Sequence, residues 1–412
     1  QATLTQSDGE GGDMFGVSVA VSGDGSTFVS GMTHDDVGGT SDQGSATVFT
    51  LSGNTWSEQA TLTQSSGAAR DYFGWSAAMS EDGNTTVLGA VNGGDLDSGS
   101  VTVFTRSGST WSEQATLTAS DGAAGDMFGE SVALSADGNT LIVGAMTDTV
   151  EGASQQGSAT VFTRSGNTWS EQATLTQSDG AASDYFGKSV ALSDNGTVAL
   201  VGAPQDDPTV NNSGSATVFT RSGNTWTQQQ TIYTADGAPY GMGGSGKGFG
   251  ESVALSADGS KSIVGAPKHV SDPCSSNCNW QGSATVFTSS GGTWTEQETI
   301  RQTGGEGSDE FGTSVALSDD GETAIIGIPG DDIPILHSGI TGLGSIGVFS
   351  TSTPPGFTLS TTSVSVSESG TTATFTVVLD TQPAGDVVIM AFSSDPGEAQ
   401  VGATLTFTSS NW

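Results

Sequence analysis

The stretch FGESVALSADGNTLIVGAMTDTVEGASQQGSATVFTRSGNTWSEQATLT, residues 128–176, holds four β-rich runs and no helical period. FGESVALS, TLIVGA, GSATVFTRSG and TWSEQATLT carry Val, Ile, Thr and Phe in short alternating patterns, the composition that suits a pleated, half-buried surface. Asp137-Gly138 and Gly166-Asn167 mark tight turns between neighbouring runs. The same pattern recurs along the chain. Phe-Gly pairs at Phe15/Gly16, Phe73/Gly74, Phe128/Gly129, Phe186/Gly187, Phe249/Gly250 and Phe311/Gly312 mark six copies spaced 55 to 63 residues apart.

Four antiparallel strands per unit, repeated around an axis, predict an all-β, six-bladed β-propeller over residues 1–350. The sixth copy has no TWSEQATLT run, and the chain begins with QATLTQS, a fourth strand without its first three. The expectation is therefore a ring closed by the N-terminal strand, residues 1–8 pairing beside Gly344–Ser350.

Forty-five acidic residues against nine basic ones give a net charge of −36, spread along the chain. A field of that sign repels phosphate, so no nucleic-acid partner is expected. There is no apolar run of about 18 residues and hence no membrane span in this chain. No signal peptide is evident, and Gln1 reads as a mature or trimmed start. Cys274 and Cys278 share the loop SDPCSSNCNW, whose spacing suits a local disulfide in an oxidising, extracellular or cell-surface setting. His269 nearby allows a zinc alternative, but a fourth ligand is missing.

The run from Phe-Gly to SVALS, followed by VGAP at Val201–Pro204 and Val264–Pro267, resembles the FG-GAP repeat of integrin α-subunit propellers and of many bacterial surface proteins. The resemblance implies a propeller that binds ligands in adhesion, often with calcium in the hairpin between the first two strands. Here that hairpin reads SADGNT or SEDGNT, shorter than the family's DxDxDG calcium loop, and six units stand where integrins have seven. Asp24, Asp82, Asp137, Asp258 and Asp320 in these hairpins read as turn formers.

A second acidic set precedes the Phe-Gly pairs: Asp13, Asp71, Asp126, Asp184 and Asp309, with Asp8, Asp121 and Asp179 five residues earlier in three copies. Lys247 stands near the equivalent place in the fifth copy. A carboxylate and carbonyl cage for Ca²⁺ is one reading, and an Asx turn without metal is the other. On the same rim the second-to-third loops differ most in length and chemistry, which is where specificity is placed on a rigid scaffold. His34, Asp35, Asp36, Asp206, Asp207, Trp280, Asp331, Asp332 and His337 are the candidate ligand-binding residues.

A Pro-rich linker, residues 351–355, leads to a second β-region at 356–412, expected to be an incomplete Ig-like β-sandwich. Its runs SVSVSESG, TFTVVLDTQP and LTFTSSNW resemble a Calx-β module, which implies Glu368 and Asp395 as Ca²⁺ ligands. It is short of the roughly 100 residues of a full sandwich, so the chain is expected to stop inside this domain, leaving an edge for self-association.

SGNTW at Trp56, Trp169 and Trp226, with variants at Trp111 and Trp294, reads as a turn followed by an aromatic packed between blades. It is similar to a sialidase Asp-box without its spacing. Arg106, Arg164 and Arg221 occupy equivalent positions on separate blades and form no single carboxylate clamp. No nucleophile and base pair, phosphate loop or cofactor motif is present. The reading is a non-catalytic extracellular adhesion or recognition protein for a protein or glycan on a cell or matrix surface. The alternatives are a structural subunit of a fibre or surface layer joined through the second domain, or a carbohydrate-active enzyme.

Overall fold

The computed structural model describes residues 3–7, 9–207, 213–234, 248–270, 280–302, 307–331 and 344–351, and in the C-terminal part 357–359, 377–379, 387–390 and 404–408. Asp8, Lys247, Cys274, Cys278, Asp332, His337, Glu368 and Asp395, named above, lie outside them. The chain divides into two compact units, Gln1–Thr351 and Ser352–Trp412.

The first unit is a six-bladed propeller built of antiparallel meanders. Blade one consists of β1 (Phe15–Val21), β2 (Thr27–Met32), β3 (Ser45–Ser52) and β4 (Thr55–Leu62). Blade two is β5 (Phe73–Met79), β6 (Thr85–Ala90), β7 (Ser100–Ser107) and β8 (Thr110–Leu117). Blade three is β9 (Phe128–Leu134), β10 (Thr140–Ala145), β11 (Ser158–Ser165) and β12 (Thr168–Leu175). Blade four is β13 (Ser189–Leu192), β14 (Val198–Ala203), β15 (Ser215–Ser222) and β16 (Thr225–Ile232). Blade five is β17 (Ser252–Leu255), β18 (Lys261–Ala266), β19 (Ser283–Ser290) and β20 (Thr293–Ile300). Blade six has three strands among the described residues: β21 (Val315–Leu317), β22 (Thr323–Ile328) and β23 (Ser345–Ser350).

Second strands such as TLIVGA are buried throughout, because they lie inside the sheet with a blade on either side. The apolar residues they share with β3-type strands form five clusters, each spanning two consecutive blades. Between blades one and two, Val29, Val48 and Leu62 meet Phe73, Leu88 and Phe104. At each such junction the Phe of Phe-Gly is fully buried and lies edge-on to the Phe of GSATVF in its own blade, as in Phe128 and Phe162 at 6.1 Å.

A polar device sits beside each cluster. Ser18, Ser76, Ser131, Ser189 and Ser252 donate their hydroxyls to the carbonyl oxygens of Gly74, Gly129, Gly187, Gly250 and Gly312 on the following blade, at 2.7 to 2.9 Å. The Gly of each second strand makes this approach possible. A Cβ on Gly144 would sit 2.0 Å from the Gly187 oxygen. Outer strands are joined differently. Each carries a one-residue bulge, and the bulged Gln59, Gln114 and Gln172 accept the indole N–H of Trp111, Trp169 and Trp226 on the next blade. The aromatic of SGNTW therefore does link blades.

The pairing of residues 1–8 beside Gly344–Ser350 is not seen among the described residues, Gln1, Ala2 and Asp8 lying outside them. Thr3–Gln6 form no strand, and among the described residues β23 pairs with β22. Ser7 donates its N–H and hydroxyl to Glu58 of blade one, as Ser65 does to Glu113 and Ser120 to Glu171. Ser7 thus stands toward blade one as Ser65, just after β4, stands toward blade two.

In the second unit, β24 (Phe357–Leu359) pairs with β25 (Val377–Leu379), and β26 (Val387–Met390) with β27 (Thr404–Phe407).

Candidate functional site

The meander places the fourth-to-first and second-to-third loops on one rim and the hairpins on the other. On the hairpin rim, backbone bonds run blade to blade: Gly23 N–H to Glu81 O, Glu81 to Ala136, Ala136 to Asp194, Asp194 to Ala257, and Ala257 to Asp319. The hairpin aspartates are turn formers, as expected. Asp24 accepts the Ser22 and Ser26 hydroxyls and the Ser26 N–H, which hold its carboxyl down at about 2. Arg106, Arg164 and Arg221 reach from this rim to the Thr27, Thr85 and Thr140 hydroxyls of the preceding blade. They are inter-blade braces on separate blades.

On the loop rim, Asp71, Asp126 and Asp184 are buried, and each accepts the backbone N–H three residues earlier, from Ala68, Ala123 and Ala181, at 2.5 to 2.7 Å. Asp13 accepts that of Glu10. The Asp13, Asp71, Asp126, Asp184 and Asp309 carbonyls in turn accept the N–H of His34, Asn92, Thr147, Gln205 and Gly330 in the second-to-third loop of the same blade. These aspartates therefore tie the two loops together, one in each blade but the fifth. Asp121 and Asp179 are exposed. Among the described residues no group of three or more His, Cys, Asp or Glu side chains is placed to hold a metal ion.

The second-to-third loops also split into scaffold and surface. The carbonyls of Asp35, Asp148, Asp206, His269 and Asp331 accept the N–H of the Gly before the third strand. Asp206 and Asp331 further accept the Ser215 and Ser345 hydroxyls at 2.5 Å. Asp35, Asp206 and Asp331 are thus framework residues, and His269 fills their place in blade five. Asp36 and Asp207 are exposed. His34 packs its ring 5.2 Å from that of Tyr72 on the next blade. Trp280 adopts φ 58° and its carbonyl accepts the Glu310 N–H at 2.9 Å.

Burial pushes Asp184 up to about 6, the Ala181 N–H opposes that, and the charges of Asp206, Asp207 and Asp179 add to it. Asp71 is raised by burial as well.

Two positions that sequence reasoning missed flank the Phe-Gly pair. The residue before Phe is left-handed in every copy: Met14, Tyr72, Met127, Tyr185, Gly248 and Glu310, with φ from 54° to 68°. The residue after Gly is Val17, Trp75, Glu130, Lys188, Glu251 and Thr313, five different residue types in one structural position. A position that varies inside a constant repeat was the available signal.

These positions build a groove of about 330 Å³ across blades three to five. Gln155, Tyr185, Lys188, Gln205, Glu251 and Lys268 line it, bringing two cations together in a strongly acidic chain. Lys188 Nζ is 2.7 Å from Glu130 Oε1 and 3.7 Å from Glu251 Oε1. Burial would lower its pKa, and the two carboxylates outweigh that and raise it. The Glu130 side chain is 3% exposed.

The FG-GAP repeat pattern matches residues 1–49, 56–104, 111–162, 169–219 and 294–342. The chain belongs to the FG-GAP repeat family. No curated protein matches it in sequence. Among solved structures it is similar in fold to Kuenenia stuttgartiensis hydrazine synthase, at 14% identity and a TM-score of 0.50, covering 80% of this chain and 78% of that one. A putative 6-phosphogluconolactonase from Bacteroides uniformis aligns at 13% identity and a TM-score of 0.49, covering 80% and 83%. The hydrazine synthase likeness concerns the FG-GAP propeller's fold alone.

Proposed function

We propose that this FG-GAP protein is a non-catalytic recognition protein that works outside the cell and binds a protein or glycan through the loop rim. The observation that carries the reading is that Lys188 and Glu251, two of the variable residues after Phe-Gly in a constant framework, meet Lys268 in the blade three to five groove. Rim aspartates and backbone bonds fix the loops, so the groove is formed before a ligand arrives and binding need not order it. Tyr185 offers an aromatic face, Gln155 and Gln205 offer amides, and Lys268 offers a cation. That set suits a hydroxylated, anionic chain such as an acidic polysaccharide or an acidic peptide.

A binding screen over acidic and neutral glycans and matrix proteins tests this, with wild type beside Lys268→Glu and Tyr185→Ala. Binding that falls tenfold or more in both variants is expected. A ligand bound equally well by both variants would move the site elsewhere, and turnover of a bound polysaccharide would replace recognition by catalysis.

A further inference from the structure

The two cations of the blade three to five groove are in different states. Lys188 is already engaged, since its ammonium lies 2.7 Å from Glu130 Oε1 and 3.7 Å from Glu251 Oε1. Lys268 sits half-buried on the second-to-third loop of blade five, and among the described residues no carboxylate lies within ion-pair distance of it. The groove therefore offers a single uncommitted positive charge in a chain of net charge −36. One ammonium neutralises one anionic group, and the surrounding acidic field repels the rest of a densely charged polymer. Clustered sulfate or phosphate esters call for several cations or the bidentate fork of arginine, and among the described residues no arginine lines the groove.

The backbone of the lining loops is committed as well. Tyr185 donates its N–H to Gln155 O, Lys188 to Tyr185 O and Gln205 to Asp184 O. An extended peptide binds by adding main-chain hydrogen bonds to free backbone groups, and these are in use. Recognition is left to side chains: the amides of Gln155 and Gln205, the Glu251 carboxylate and the Tyr185 ring, all half-buried. The Tyr185 hydroxyl donates to Gln155 Oε1 at 3.3 Å, which holds the ring and the amide of two successive blades together before any ligand arrives. Amides donate and accept and a carboxylate accepts twice, a set that matches adjacent sugar hydroxyls, while an aromatic ring with a polar tip suits the apolar face of a pyranose. At about 330 Å³ the groove is at the small end of ligand sites, so it holds a short stretch of a chain.

Resting on the recognition reading above, we propose that the groove takes one carboxylated pyranose, a uronate unit of a sparsely charged glycan. Its carboxylate pairs with Lys268, its ring lies against Tyr185, and its hydroxyls meet Glu251 and the two glutamines. Lys188 is a positioning residue that steadies Glu251 and does not itself hold the anion.

Calorimetric titration of the full chain tests this, with oligosaccharides of glucuronate, galacturonate, mannuronate and guluronate, each beside its carboxyl-reduced counterpart, and with heparin and polyglutamate as densely charged probes. At least one uronate oligosaccharide should bind and should weaken tenfold or more once its carboxylate is reduced to an alcohol. Lys268→Ala should erase that difference while leaving the affinity for the reduced sugar nearly unchanged, and Lys268→Arg should restore the preference for the acid. An unchanged circular dichroism spectrum separates a lost contact from a lost fold. A carboxylate preference that survives Lys268→Ala, heparin or polyglutamate binding more tightly than every uronate, or a ligand found only among neutral glycans or matrix proteins overturns the uronate proposal and leaves recognition standing. Binding to no glycan and no matrix protein overturns both.

Discussion

The hydroxyl of Ser131 donates to the carbonyl oxygen of Gly187, 2.9 Å away on the next blade, and both residues belong to a device repeated at five junctions. Ser131→Ala should cost about 1 kcal/mol, the usual net worth of such a bond. Gly144→Ala, whose Cβ would collide with the same carbonyl, should cost about 1–3 kcal/mol or more by forcing the blades apart. Urea unfolding of the two variants gives the order, and a costlier Ser131→Ala would contradict it.

Lys188 holds the buried Glu130 in balance, and Oε2 of that glutamate has no hydrogen-bond partner. Removing the ammonium leaves an uncompensated buried carboxylate, so Lys188→Met should destabilise by about 3–5 kcal/mol. Adding Glu130→Gln should recover a large part of the loss. A double-mutant cycle measures the coupling, and strict additivity would show that the pair does not act as one.

Asp184 makes stability depend on pH in a defined direction. Its folded pKa of about 6 exceeds the ordinary 3.8, so the ionised carboxylate opposes folding. That penalty is full above about pH 6 and fades as pH falls toward about 4. Asp184→Asn removes the penalty, so its advantage in melting temperature over wild type should be larger at neutral pH and shrink on acidification. A gap independent of pH across that window would rule out the assignment. Asp24 works in the opposite sense at lower pH, since its contribution is lost as pH falls through about 2.

The left-handed residue before each Phe-Gly gives a natural comparison, because blade five already has Gly248 there, at φ 68°. A non-glycine residue in that region costs roughly 1–2 kcal/mol, and glycine costs back about 0.5–1 kcal/mol in the unfolded chain. Met127→Gly should therefore stabilise by up to about 1 kcal/mol. Thermal unfolding reads it out, and a destabilised variant would mean that the Met127 side chain contributes more than its backbone costs.

Much of this architecture was visible beforehand. The period of Phe-Gly and the alternation within GSATVF give blade count and strand order, because both follow from local composition. The reason for Gly144 did not show: it is dictated by a carbonyl 43 residues further along, at Gly187. Asp206 and Asp331 looked like ligand groups, yet each is spent on a serine of its own blade. His269, doing the backbone part of the same work, shares no side-chain chemistry with them. The groove escaped notice since Lys188 and Lys268 come from neighbouring blades far apart in sequence. The pairing of QATLTQS is open for the opposite reason: the strand-like run is plain, but no local pattern states its neighbour.

Each junction recognises only a serine, two glycines and an apolar strand face, and asks nothing of the loops above. Blades are in that sense interchangeable parts: a gene segment encoding one can be duplicated, lost or exchanged, and the newcomer meets the same socket on either side. Ligand preference and blade number are then free to diverge along separate histories within one lineage.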